Sequence, residues 1–266
     1  REFAGASLGA ATAASLAASD EKIERARQAA LAVMKPSKRD LEHGMALHAD
    51  SIVFESYGFS PRGAPDGDAL RAAIEAGASG LELQDMQEDM AMTRVATDPV
   101  ERAEYLNAWK KSGVTCIFQN AGEESQDPMR LIKRLARFTY ATDLLRDSVF
   151  RAVRPDDVAA AKRQNKHCLY FSGNGVPLAQ QWVSVEEELR YVRIFFQLGI
   201  RMMHLTYNRR NMLGDGCAEP ANAGLSDFGR AAVAEMNRVG VIVGVAHCGW
   251  RTRLEAARAS KQPMVI

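Results

Sequence analysis

The sequence predicts an α/β domain built on a parallel sheet, and three observations carry that prediction. Residues 199–250 read as an apolar run (Ile200 to Tyr207), a polar Gly-containing loop, an amphipathic helix and a second apolar run (Val239 to Ala246) ending at His247. Two short apolar runs joined through a helix are most simply parallel neighbours, because a right-handed crossover returns the chain to the same end of a sheet. Helical periodicity alternates with short apolar runs from about residue 99 onward. A chain of 266 residues with 47% hydrophobic content can fill one sizeable core.

Each element has a local reason. In residues 226–239, Ser226 is suited to cap a helix and Asp227 to face its positive end, while Val233, Met236 and Val239 recur at helical spacing and Gly240 stops it. Asp20 to Lys35 reads as a helix ended by Pro36. The centre of Asp40 to Ile52 reads as a first strand, on which His48 and Asp50, two residues apart, share a face. Asp68 to Glu75 leads into an acidic stretch whose Asp85, Glu88 and Asp89 read as a solvated helix face, since the spacing of a calcium loop is missing. Pro99 to Ser112 is a helix, the run from Val114 to Asn120 a strand, Met129 to Phe150 a helix on the outside of the sheet, Asp156 to Gln164 another, and the run beginning at His167 a strand. Thr252 to Ser260 is helical, and a further strand begins at Pro263.

In a parallel β/α fold the carboxyl ends of the strands carry the chemistry. His247 stands at such an end, where it fits a ligand, a general base or a structural histidine. His-x-Asp by itself is a weak motif, although an imidazole and a carboxylate on one face suit a first-row metal. The net charge of +1 offers no electrostatic footprint for nucleic acid or an anionic membrane. No apolar stretch is long enough to span a bilayer. Neither a nucleotide-binding Gly loop nor a serine nucleophile elbow is present.

Several stretches together resemble the membrane dipeptidase (renal dipeptidase, peptidase M19) family of zinc hydrolases: Leu205-Thr206, the Gly-Asp-Gly loop, the GLSDFG run from Gly224, the EMNR run from Glu235, and Ala246-His247. The resemblance implies a (β/α)8 TIM-type amidohydrolase-like barrel, incomplete here at its carboxyl end, with one or two zinc ions at the strand ends. It implies His48, Asp50 and His247 as metal ligands, a metal-activated water with a pKa lowered toward neutrality, and a dipeptide as substrate.

Two positions depart from the family's pattern. Where a metal-bridging glutamate is expected the chain has Ser172, Gly173 and Asn174, of which Asn174 could contact one ion or a water but lacks the charge to offset two. The family's histidine after Leu-Thr is Tyr207, a donor suited to a developing oxyanion. Arg210 is a candidate for a substrate carboxylate, like its neighbour Arg209, though exposed loop arginines are common. His204, three residues before Tyr207, is expected to face the other way as a packed or outer histidine.

The expected organisation is residues 1–19 as an export-signal remnant, 20–39 as helix and linker, and 40–266 as the hydrolase barrel. Arg1 followed by an Ala-rich segment fits the tail of a twin-arginine leader, hence an exported, periplasmic or extracellular protein; an Ala-rich helical or disordered terminus is the bland alternative. Cys217 and Cys248, on loops at the active end, could pair in such a compartment, whereas Cys116 and Cys168 read as buried thiols. A homodimer is compatible with this reading. The functional alternatives are a barrel that binds without catalysis and an amidohydrolase of non-peptide amides or lactones.

Overall fold

The computed structural model describes residues 2–122 and 128–266; Arg1, on which the leader reading draws, lies outside them. In chain order the elements are α1 (Glu2–Met34), α2 (Lys38–Asp50), β1 (Phe54–Gly58), α3 (Gly67–Glu75), α4 (Gly80–Thr97), α5 (Pro99–Ser112), β2 (Cys116–Asn120), α6 (Pro128–Leu144), β3 (Val149–Arg151), α7 (Pro155–Arg163), β4 (His167–Gly173), α8 (Val185–Gln197), β5 (Ile200–His204), α9 (Asp227–Val239), β6 (Ile242–Gly244), α10 (Trp250–Ala259) and β7 (Met264–Val265). All strand pairings are parallel and the order is β1-β2-β4-β5-β6-β7. This sequential order, with helices returning between strands, is the arrangement of successive β/α units in a barrel wall.

β3 departs from that order. It pairs with residues 167–169 of β4, on the edge that β5 occupies at residues 171–173, because β2 holds the opposite edge along residues 168–172. The step from β3 to β4 therefore runs against the direction of the other steps. A right-handed return in that direction places the helix on the other face of the sheet. Accordingly Val158 and Ala161 of α7 pack with Cys116, Phe118, Cys168, Tyr170 and Met202, whereas Ile117, Leu169, Phe171, Met203 and Val243 join the larger core with α4–α6, α8 and α9. Fully buried Trp109, Phe171 and Phe195 anchor that larger core, each contributing about 1.5–3 kcal/mol of apolar burial.

The caps act where the residues predict. Ser226 accepts from Gly229 N–H, and Gly240 closes α9 at φ 95°, a left-handed conformation that glycine adopts without strain. Asp98 caps α5, Pro99 opens it and Gly113 ends it. Helix α1 is continuous from Glu2 to Met34, so the stretches expected as leader and helix lie on one element, which packs along α5 through Asp20 with Asn107 and Lys111. Among the described residues no helix is long and apolar enough to cross a membrane.

Residues 38–50 are helical, not the expected strand. Ser37 caps α2 by accepting from Asp40 N–H, and eight of its thirteen residues (Lys38, Arg39, Leu41, Glu42, Met45, Ala46, Leu47 and Ala49) are strong helix formers with no β-branched residue among the thirteen, whereas the two-residue spacing of His48 and Asp50 had suggested a strand. The first strand follows at Phe54. The acidic face of α4 is also paired: Asp85, Glu88 and Asp89 meet Arg137 on α6, Lys133 reaches Asp85 and Arg130 reaches Glu88.

Candidate active site

The polar cluster lies where β1, β4, β5 and β6 end. A bulge creates its first member. Phe54, Glu55 and Gly58 oppose Cys116, Ile117 and Gln119, so β1 carries one residue more than β2 across this interval. The extra residue reverses the alternation and turns Tyr57 onto the face occupied by Phe118 and Tyr170. Tyr57 then donates to Asn174 Oδ1 at 2.8 Å, beyond the end of β4, and its ring stacks on His204 with centroids 5.3 Å apart.

His204 ends β5 and is only 3% exposed. Its register partner on β6 is Gly244, where an added Cβ would come within 2.3 Å of the His204 ring. A glycine is required there for the imidazole to lie across β6. Burial first, and the neighbouring His247 second, push the His204 pKa down to about 4, so the ring is neutral near pH 7. Its Nδ1 is buried without a hydrogen-bond partner.

His247 follows β6 in a left-handed conformation, φ 62°, one of the few positions where a non-glycine residue takes that geometry. Its ring lies 4.2 Å from the Tyr207 ring and 6.2 Å from the His204 ring. Asn208 Oδ1 stands 3.0 Å from His247 Nδ1 and also accepts from Cys217 Sγ. A carboxamide oxygen cannot donate, so Nδ1 carries a proton, and the tautomer this selects for the uncharged ring is the one with its electron pair on Nε2. Tyr207 and His204 both lie against His247 despite their odd spacing. The strand ends at His204, and the residues beyond it no longer alternate. His204 is thus packed, as expected of one alternative, but it faces the cluster; strand parity had turned it away.

The expected metal ligands are not brought together. His48 touches Gly113, which caps α5 just before β2, and Ala49 O accepts from Lys162, which precedes β4. His48 and Asp50 therefore sit on an exposed helix at the amino end of the sheet, while His247 stands at the carboxyl end. Among the described residues no three His, Cys, Asp or Glu side chains converge as a metal site would need. The polar groups gathered with His247 are neutral: His204, Tyr57, Tyr207, Asn174 and Asn208. That donor set does not fit a pair of zinc ions, which calls for carboxylate charge.

Arg210 is also committed elsewhere. It makes a two-pronged ion pair with Asp215, which is 2% exposed and also accepts from Ala223 N–H. The pair folds the long loop after β5 instead of presenting a guanidinium to a ligand; Arg209 remains exposed, 3.9 Å from Glu219. The loop after β4 is pinned similarly, by buried Glu188 accepting from the N–H groups of Gln180, Gln181 and Trp182. Cys217 and Cys248 are free thiols, as are Cys116 and Cys168.

A parallel β/α sheet whose polar side chains gather over its carboxyl end is the ground plan of barrel enzymes. The sequence profile of the membrane dipeptidase family (peptidase family M19) matches residues 81–266, more than half of the chain, and the chain belongs to that family. Dipeptidase tcpJ of Claviceps purpurea is 30% identical over 126 residues, covering 47% of this chain and 28% of that protein. An amidohydrolase from Pseudomonas aeruginosa aligns at 25% identity with a TM-score of 0.56, over 83% of this chain and 53% of its own. A metallopeptidase from Rhodobacter sphaeroides, liganded with a phosphinate mimic of L-Ala-D-Ala, shares the fold at 15% identity and a TM-score of 0.52, over 64% of this chain and 60% of its own. The chain thus spans little more than half of these structures and under a third of the curated relative.

Proposed function

We propose that the protein is a dipeptidase-type hydrolase that seats a dipeptide-sized amide over the carboxyl ends of β4, β5 and β6. The observation that carries this reading is His247 at the end of β6, with its tautomer fixed by Asn208 and its ring against Tyr207, inside the segment that matches the family. In this reading the Tyr207 hydroxyl donates to an amide carbonyl and Nε2 of His247 offers its electron pair to the ligand, while the Tyr57–Asn174 hydrogen bond lies beneath them. Zinc, the cofactor implied by the resemblance, would supply a polarising charge when bound. Of the three expected ligands His247 alone is at this rim, and no step of the reading is routed through the ion.

A second reading, binding without turnover, is favoured by Asn174: it occupies the ground of the bridging glutamate and its Oδ1 is engaged by Tyr57. A panel of dipeptides with L and D carboxyl-terminal residues, extended to simple amides and lactones and run with and without zinc, separates the readings. Turnover that is lost in His247→Ala supports the hydrolase. Saturable binding without turnover selects the second reading, and neither binding nor turnover overturns both.

Export rests on the Ala-rich terminus, and a homodimer on compatibility alone. Amino-terminal sequencing of the protein recovered from the periplasm or medium tests the first, and light scattering tests the second.

A further inference from the structure

We infer that the protein has a second ligand site, at the amino end of the sheet, that takes a small anion carrying a diphosphate group. A cavity of about 600 Å3 opens there between α5, the turn before β3 and the turn before β4, a size that suits a small molecule. Lys110 of α5, Lys162 of α7, and Lys166 and His167 at the start of β4 all line it, against one acid, Asp147. The cavity lies at the opposite end of the strands from His247, so the inference is independent of the amide-binding reading.

The three lysines stand out by what they lack. Among the described residues none of them is ion-paired, whereas Lys111, the neighbour of Lys110, meets Asp20, and Lys133 meets Asp85. Helix carboxyl ends attract lysines without any ligand, and α2, α5 and α7 all end at this face. That attraction accounts for only part of the set. Lys162 gives one N–H to Ala49 O and Lys166 one to Arg146 O, 3.4 Å away, which leaves further donors on each ammonium; Lys110 makes no such bond. His167 is held in place, because its Nδ1 donates to Val114 O at 2.6 Å and its ring lies against Trp109 with centroids 5.0 Å apart. Burial pushes the His167 pKa down, so the charge of the lining rests on the lysines. Ammonium groups act as point charges, suited to phosphate oxygens approached from several directions. Three of them facing a single carboxylate call for more than one negative charge on the ligand.

Calorimetric titration of the full chain with inorganic pyrophosphate, at physiological ionic strength, tests the site. One pyrophosphate per chain is expected. Lys110→Ala and Lys166→Ala should each weaken binding about tenfold, the scale of a lost hydrogen bond between charged groups. Lys261→Ala, outside the cavity, should bind as the parent does. In histidine ring spectra of the unmodified chain, His167 should shift during the titration and His247 should not. A nucleoside diphosphate that binds more tightly than pyrophosphate identifies the ligand as an organic diphosphate, and equal or weaker binding identifies it as the inorganic anion. No saturable binding, an unmoved His167, unchanged affinity in either cavity variant, or an equal loss in Lys261→Ala would each overturn the assignment.

Discussion

Residues 199–250 and residues 38–58 were both expected to carry metal ligands, and they behave as opposites. The later segment delivers His204, Tyr207, Asn208 and His247 to one rim, held by caps, a glycine that yields space and a buried ion pair. The earlier one puts His48 and Asp50 on an exposed helix at the far end of the sheet and contributes Tyr57 instead. Residue types suited to chemistry become a site only where the backbone positions around them are over-determined.

Substitutions can break or sharpen that contrast. The largest effect is expected at Glu188, whose removal orphans three backbone donors: Glu188→Ala should cost about 3 kcal/mol or more in urea unfolding and loosen the loop that follows Asn174. Gly244→Ala places a methyl group against the His204 ring and should cost about 1–3 kcal/mol, with the His204 ring signals shifted in nuclear magnetic resonance spectra.

Asp215→Asn should cost about 1.5–3 kcal/mol, the scale of a hydrogen bond to a charged group. Arg210 first, and the Ala223 N–H second, hold the Asp215 carboxyl below its ordinary 3.8. Its stabilising contribution is therefore complete above the unfolded value and is lost as pH falls below it through the folded one. Unfolding curves of the parent and the variant should separate at neutral pH and converge as pH falls below the ordinary 3.8 of the carboxyl. At the small end, His48→Ala and Asp50→Ala should change stability by no more than about 0.5 kcal/mol.

Much of the fold was legible where terminators bound a periodic run. Pro99 and Gly113 delimit α5, and Ser226 and Gly240 delimit α9, as the residues predict. The strands at 116–120 and 167–173 follow from continuous apolar runs. The three residues of β3 carry too little pattern to stand apart from the preceding helix, and their unusual placement is set by pairing with β4. The segment 38–50 misled because a two-residue spacing fits a strand face by chance, while its helix-forming composition, capped by Ser37, decided the outcome.

The rim was half legible. His247, Tyr207 and Asn174 stand out by position. Tyr57 enters only through a bulge in β1, and no residue of the run FESYG announces it. His204 was set aside because alternation was extended past the last residue of β5. A signal for it did exist, since Gly244 is the one small residue among the larger apolar ones of β6 and marks the strand as yielding to a neighbour's side chain. Arg210 could not be read, because an ion pair with a residue five positions away looks the same in sequence as a free guanidinium.

The central claim is that amide-binding chemistry belongs to the rim formed by His204, Tyr207 and His247, and that His48 has no share in it. Histidine ring resonances of the isotopically labelled chain, followed while a dipeptide is added, test this most directly. The account predicts that His204 and His247 move together and that His48 stays still. Movement of His48 in concert with His247 would contradict it.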